Sequence, residues 1–123
     1  MPRERILSAV NEWITANDND VFKVDFLRYL LEHAIGKGNA VPTETIMENI
    51  GFNKRTADFQ QEILAPLKRE RGFFVGSCTR GIFLVASIED AKETAAFYQS
   101  RIDAETFHLN NLREVMMQYN CQI

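Results

Sequence analysis

The chain has only two cysteines, three prolines, six glycines and two histidines in 123 residues, and each scarcity removes a class of protein. Cys78 and Cys121 stand 43 positions apart, without the paired spacing of a metal site or the density of a disulfide scaffold. Reduced thiols are the expectation, Cys78 as a small turn residue and Cys121 near a helix end. His33 lies near Tyr29 and Lys37 with no second ligand beside it, and His108 lies one turn from Glu105, a helix ion pair rather than a metal site. No apolar run approaches the ~20 residues that cross a bilayer. The N-terminus, Met1-Pro2-Arg3-Glu4-Arg5, leads into an amphipathic segment without a signal-type apolar block, so a cytoplasmic protein with no membrane contact is expected. Also missing are a Gly-rich phosphate loop, a Cys-x-x-Cys pair, paired histidines and a nucleophile elbow. The chain therefore reads as a non-enzyme with no cofactor, no metal and no evident small-molecule ligand.

What is present is ordinary globular composition, 46% hydrophobic and 25% charged, in one domain's length of chain. The net charge is −3, but it is unevenly spread. From Asn53 to Gly81 there are six basic residues (Lys54, Arg55, Lys68, Arg69, Arg71, Arg80) against three acidic ones, and the remainder carries eight basic and fourteen acidic. An acidic body with one basic face excludes indiscriminate coating of nucleic acid and suits contact with phosphate at one place.

Hydrophobic spacing predicts a first helix from about Arg3 to Ala16, with Ile6, Leu7, Val10, Trp13 and Ile14 on one stripe. Asn17-Asp18-Asn19-Asp20 ends it, and Asp20 is placed to cap a second helix over Val21 to Ile35. Gly36 and Gly38 supply a left-handed stop. Ala40-Val41-Pro42 allows only a stub of extended chain, since proline limits ladder pairing. Thr43 then caps a short helix bearing Ile46, Met47 and Ile50, which stops at Gly51. Asn53 caps the next, with Phe59, Ile63 and Leu67 as its buried line. Pro66 inside that helix predicts a kink or break near Leu64-Ala65. Phe73-Phe74-Val75-Gly76 and Ile82-Phe83-Leu84-Val85 read as strands joined by Ser77-Cys78-Thr79-Arg80-Gly81, a hairpin signature.

Ser87 with Asp90 three residues on marks a capping box, and one helix follows from Ile88 to about Tyr119. Ala91, Ala95, Tyr98, Ile102, Glu105, Leu109, Leu112, Met116 and Tyr119 alternate at spacings of four and three, a heptad seam with one polar seat at Glu105. At ~1.5 Å per residue this helix is about 48 Å long, more than so small a globule needs internally. The seam calls for a partner helix, either a second copy of the chain or the first helix. A homodimer using both terminal helices is the expectation, with Trp13, Tyr98, Ile102, Leu109, Leu112 and Met116 at the interface. Phe107 lies off the seam and is free to dock elsewhere. No repeat or linker divides the chain. The expected organisation is an N-terminal helix (1–20), a central unit (21–86) and a C-terminal dimerisation arm (87–123).

The ordered run Ile46-Met47-Glu48-Asn49-Ile50-Gly51-Phe52-Asn53-Lys54-Arg55-Thr56, then Ile63, then Leu67-Lys68-Arg69-Glu70-Arg71-Gly72-Phe73-Phe74-Val75-Gly76-Ser77 and Arg80-Gly81-Ile82-Phe83-Leu84, resembles the winged helix-turn-helix domain of the biotin-repressor type. Small winged-helix proteins of bacteria and their phages are similar. The resemblance spans about 40 of 123 residues. It departs in the longer segment between Thr56 and Leu67, in Pro66, and in Ile82-Phe83 where the family tends to place tyrosine directly after glycine. No catalytic domain follows, so no ligase activity is implied. It implies a mostly α fold with a small β-hairpin wing, and a recognition helix, opening at Asn53, that enters the major groove of double-stranded DNA. Lys54, Arg55, Thr56, Asp58 and Gln60 or Gln61 would be its reading residues. Lys68, Arg69 and Arg71 would hold backbone phosphate, and Arg80 would reach phosphate or the minor groove from the wing tip.

Two readings of different class stay open at this point. One is a dimeric, sequence-specific DNA-binding protein, a small bacterial or phage-type transcriptional regulator. The other is a winged-helix protein-interaction module, an adaptor or inhibitor of another macromolecule. Nothing in the residues points to one DNA target or to activation rather than repression.

Overall fold

Ile6, Val10 and Ile14 recur every fourth residue, and α1 (Arg3–Ala16) buries all three in the same core that receives Val24, Phe26, Leu27 and Leu30 of α2 (Val21–His33). Burying such side chains stabilises by roughly 1.5–3 kcal/mol each, which offsets the ordering of two short helices. The computed structural model describes residues 3–123. It is mostly helical, with one antiparallel hairpin and a long C-terminal helix. Among the described residues no helix is long and apolar enough to cross a membrane.

α2 ends two residues before the periodicity predicts. Its next residues are taken by a strand: the Leu84 N–H donates to the Ala34 carbonyl at 2.8 Å, and the Gly36 N–H donates to the Leu84 carbonyl at 2.9 Å. Gly36 does have positive φ, at 86°, but it opens a single 3₁₀ turn (Lys37–Asn39), and Gly38 is not left-handed. Asp20 occupies the cap position of α2 without a capping hydrogen bond, its carboxylate instead 3.2 Å from Lys23. Val41, in the short extended stub expected before Pro42, exchanges two backbone hydrogen bonds with Ile82, at 2.9 and 2.8 Å.

The hairpin itself is β1 (Val75–Cys78) against β2 (Gly81–Leu84), in the register Val75 to Leu84 and Cys78 to Gly81. The connection is thus two residues, Thr79-Arg80, rather than the five the sequence signature marked. Phe73 and Phe74 precede the strand. The reason is long-range: β2 needs Ile82 and Leu84 facing Val41 and Ile35, which fixes where β1 can pair. Gly81 has φ 135°, and a β-carbon there would overlap the Val41 carbonyl, so the close approach of the two chains depends on glycine.

Between Val41 and β1 lie α3 (Thr43–Ile50), α4 (Thr56–Phe59), a π-helical turn (Gln60–Leu64) and α5 (Ala65–Leu67). Pro42, not Thr43, holds the cap position of α3. The kink or break expected near Leu64-Ala65 takes the form of a change from π to α hydrogen bonding there, while Gln60, Leu64 and Ala65 keep right-handed helical dihedrals. The Ala65 N–H donates to the Gln60 carbonyl five residues back. Widening one turn in this way relieves the clash a proline ring makes with the carbonyl four residues earlier, and Pro66 has no N–H to lose.

α6 (Ile88–Gln118) starts at Ser87, whose Oγ accepts from the Asp90 N–H at 3.1 Å. The carboxylate of Asp90 is buried and accepts two other backbone donors, Lys37 N–H on Oδ1 and Ala86 N–H on Oδ2, both at 2.9 Å. The first half of α6 then lies on β1. Gly76 permits this, since a β-carbon there would stand 2.8 Å from Thr94 Oγ1 and 2.9 Å from Phe83.

Two substitutions test these joints. Asp90→Ala strands two backbone donors and should lower stability by about 2–4 kcal/mol in chemical denaturation, with Asp90→Asn milder. Gly81→Ala combines a disallowed φ with a backbone overlap and should cost about 3 kcal/mol or more, read as a lowered Tm.

Candidate nucleic-acid interface

The turn between α3 and α4 is built by glycine and aromatics. Gly51 takes the left-handed conformation, φ 72° and ψ 28°, and the Phe52 N–H returns to the Met47 carbonyl at 2.9 Å, closing a Schellman motif. Phe52 is buried edge-on between Phe22 of α2 (5.3 Å) and Phe59 of α4 (5.4 Å), and Phe26 meets Phe59 at 5.5 Å. Edge-to-face pairs of this kind add about 0.5–1.5 kcal/mol each beyond area burial. They fix the angle at which the next helix leaves the core.

That helix begins at Thr56, with Arg55 at its cap, rather than at Asn53. The residue that decides this is Asp58, whose carboxylate accepts the Arg55 N–H at 3.2 Å. Only half of a capping box forms, because a guanidinium has no acceptor to return. Lys54, Arg55, Thr56, Gln60 and Gln61 are exposed, while Phe59, Ile63, Leu64 and Leu67 are buried on the opposite side. The π turn keeps both sets on their faces across Pro66.

Three of the expected cations are held by carboxylates. Lys54 Nζ lies 3.0 Å from Glu62, Arg55 Nε 3.3 Å from Asp58, and Arg80 3.5 Å from Glu93 of α6. The first and last of these pairs span eight and thirteen positions, so helical spacing could not have revealed them. The Arg55 guanidinium and backbone N–H hold the Asp58 carboxyl below its ordinary value of 3.8, with the Lys54 charge adding to the effect.

Lys68, expected on phosphate, faces inward. Its ammonium donates to the Tyr98 hydroxyl at 2.6 Å and the Ser77 hydroxyl at 3.4 Å, so it braces α5 against β1 and α6. Tyr98, expected in the dimer seam, is accordingly half-buried against its own chain. Trp13, expected at the same interface, is also half-buried and packs on the core. Arg69 and Arg71 are exposed and make no ion pair among the described residues. Ile102, Leu109 and Leu112 stand open on α6, and Met116 is half-buried. The exposed cations Lys54, Arg55, Arg69, Arg71 and Arg80 are therefore the candidate set, with Thr56 and Gln60 as neutral donors and acceptors.

The chain matches no known protein family, no characterised protein and no solved structure.

Asp58 gives this surface a pH signature. Its folded value lies below 3.8, so its stabilising effect is complete above that range and is lost as pH falls through the depressed folded value. Asp58→Asn should flatten the acid limb of stability, measured by denaturation between about pH 5 and pH 2. An unchanged limb would mean that the Arg55 contact does not persist in solution.

Proposed function

We propose that this chain is a winged helix-turn-helix protein that binds double-stranded DNA in sequence-specific fashion, acting as a dimer through α6. The observation that carries the reading is the helix from Thr56 to Leu67: its inner face is anchored by the Phe22-Phe52-Phe59 stack, and its outer face offers Arg55, Thr56 and Gln60 to solvent. The bridge from Val41 to Ile82 supports it further. It sets Val41, between α2 and α3, on the edge of β2 away from β1, with Thr79-Arg80 as the proposed wing tip.

Magnitudes explain how paired cations serve this function. An ion pair as exposed as Arg55 with Asp58 is screened by water and held only weakly. A bidentate arginine on a guanine edge is worth about 1–3 kcal/mol of discrimination. Exchange is favourable where a matching base is present and close to neutral elsewhere, so Asp58 and Glu62 favour selectivity over general affinity. The competing reading, a protein-interaction module, draws on the same neutralised cations together with the open apolar face of α6.

Selection of duplexes from a random pool, followed by titration in rising salt, separates the two. Arg55→Ala should weaken the selected site about tenfold while leaving non-specific binding nearly unchanged. Arg69→Ala and Arg71→Ala should weaken all duplexes alike, each lowering the salt slope by about 1. No affinity for any duplex at low salt would overturn the DNA reading.

A further inference from the structure

Beyond Ala104, where its side chains leave the groove shared with Cys78 and Thr79 of the hairpin, α6 packs against no other element among the described residues. Between Gln99 and Gln118 no residue is buried and only Val115 and Met116 are half-buried, so about 30 Å of helix projects from the body. Seven of the eleven large hydrophobic side chains exposed among the described residues fall between Ile102 and Ile123. The stretch also contains Thr106, His108, Asn110 and Asn111, which are weak helix formers, so its helicity must come from packing.

The first half of α6 shows which face is spoken for. It buries Asp90, on the N–H groups of Lys37 and Ala86, and Thr94, and half-buries Phe97 and Tyr98, with Tyr98 bonded to Lys68. The heptad line runs on from there as Ile102, Glu105, Leu109, Leu112 and Met116, unopposed. α1 does not cover it, since its apolar stripe is used in the core.

We propose that this projecting segment pairs with the same segment of a second copy in antiparallel orientation, with Glu105 facing Leu109 of the second copy and Ile102 facing its Leu112. The inference rests on the dimeric reading above and adds its geometry. Charge decides the direction. Parallel in-register pairing sets Glu105 against its own counterpart in the seam. Antiparallel pairing removes this conflict, and on the flanks Arg101 lies by Val115, Arg113 by Gln99 and Thr106 by Thr106. A second copy also satisfies the four-three spacing along the whole projecting length, which one docked peptide of unrelated sequence would not.

The arrangement has a geometric consequence for DNA. With Tyr98 level with Met116 of the second copy, the roots of the two heads are about 27 Å apart along the helix axis. That is on the scale of the ~34 Å between successive major-groove half-sites. Parallel arms would instead place both heads at one end.

Disulfide trapping tests the orientation in the full chain with Cys78→Ser and Cys121→Ser. Ile102→Cys mixed with Leu112→Cys should give a cross-linked heterodimer, and neither variant alone should cross-link. Self-linking of I102C would show parallel arms and overturn the proposal. Linking of L109C with L112C in place of the first mixture would overturn the register. Sedimentation equilibrium of the unmodified chain should give a dimer that L112E weakens about tenfold or more, with helicity of the body retained by circular dichroism. A monomer at every concentration would assign the face to some other chain and overturn self-pairing. The duplex titration would still decide DNA binding by itself, so the two failures are distinguishable.

Discussion

Strand β2 is paired on both sides, and the rest of the molecule depends on that. A two-strand ribbon is marginal in water. Here Ile82 and Leu84 turn their backbone groups away from β1, to Val41 and to Ala34 and Gly36. The four residues of β2 thereby tie the end of α2, the approach to α3 and the hairpin into one unit. The helices between Val41 and Val75 are held as a closed loop between two pairings of the same strand. Gly81 is where the closure is tightest, and it admits no side chain.

Asp90 extends this arrangement to the long helix. One buried carboxylate takes the N–H of Lys37, beyond α2, and of Ala86, beyond β2, so the root of α6 is fastened where the core converges. Lys68 makes a second fastening through Tyr98, about two turns further along α6. After that point no residue of the helix is buried among the described residues. The transition from a doubly fastened root to an open apolar arm is abrupt, and it separates the part of α6 that serves the fold from the part available for assembly.

The basic face is also shaped by competition. Charge counts made the segment from Asn53 to Gly81 look uniformly available, but Lys54, Arg55 and Arg80 each rest on a carboxylate, and Lys68 is turned inward. Exposed pairs of this kind are weak enough to exchange and strong enough to blunt loose attraction to phosphate. In the proposed function, a surface of this type gains its affinity from fit to particular base edges more than from charge.

Much of this was legible in the residues. The stripe from Ile6 to Ile14, the Asn17–Asp20 turn, the stop at Gly51, the Ser87 start and the length of α6 follow from side-chain periodicity and backbone preference, which act over ten or so neighbouring positions. The hairpin was legible as an element, but its register was not. The shortened α2, the Val41 pairing that constrains the register, and the Asp90 contact join residues about 40 to 53 positions apart, where no local preference discriminates among partners. The same holds for the cap at Arg55 and the π turn ahead of Pro66: both resolve local conflicts that the surrounding core, through Phe52, Phe59 and Leu67, decides. The sequence by itself determined which segments are helical and which faces are apolar. Only the tertiary structure decided which cations are paired, which way Lys68 and Tyr98 point, and how much of α6 is left open, because each of those depends on what the closed chain brings alongside.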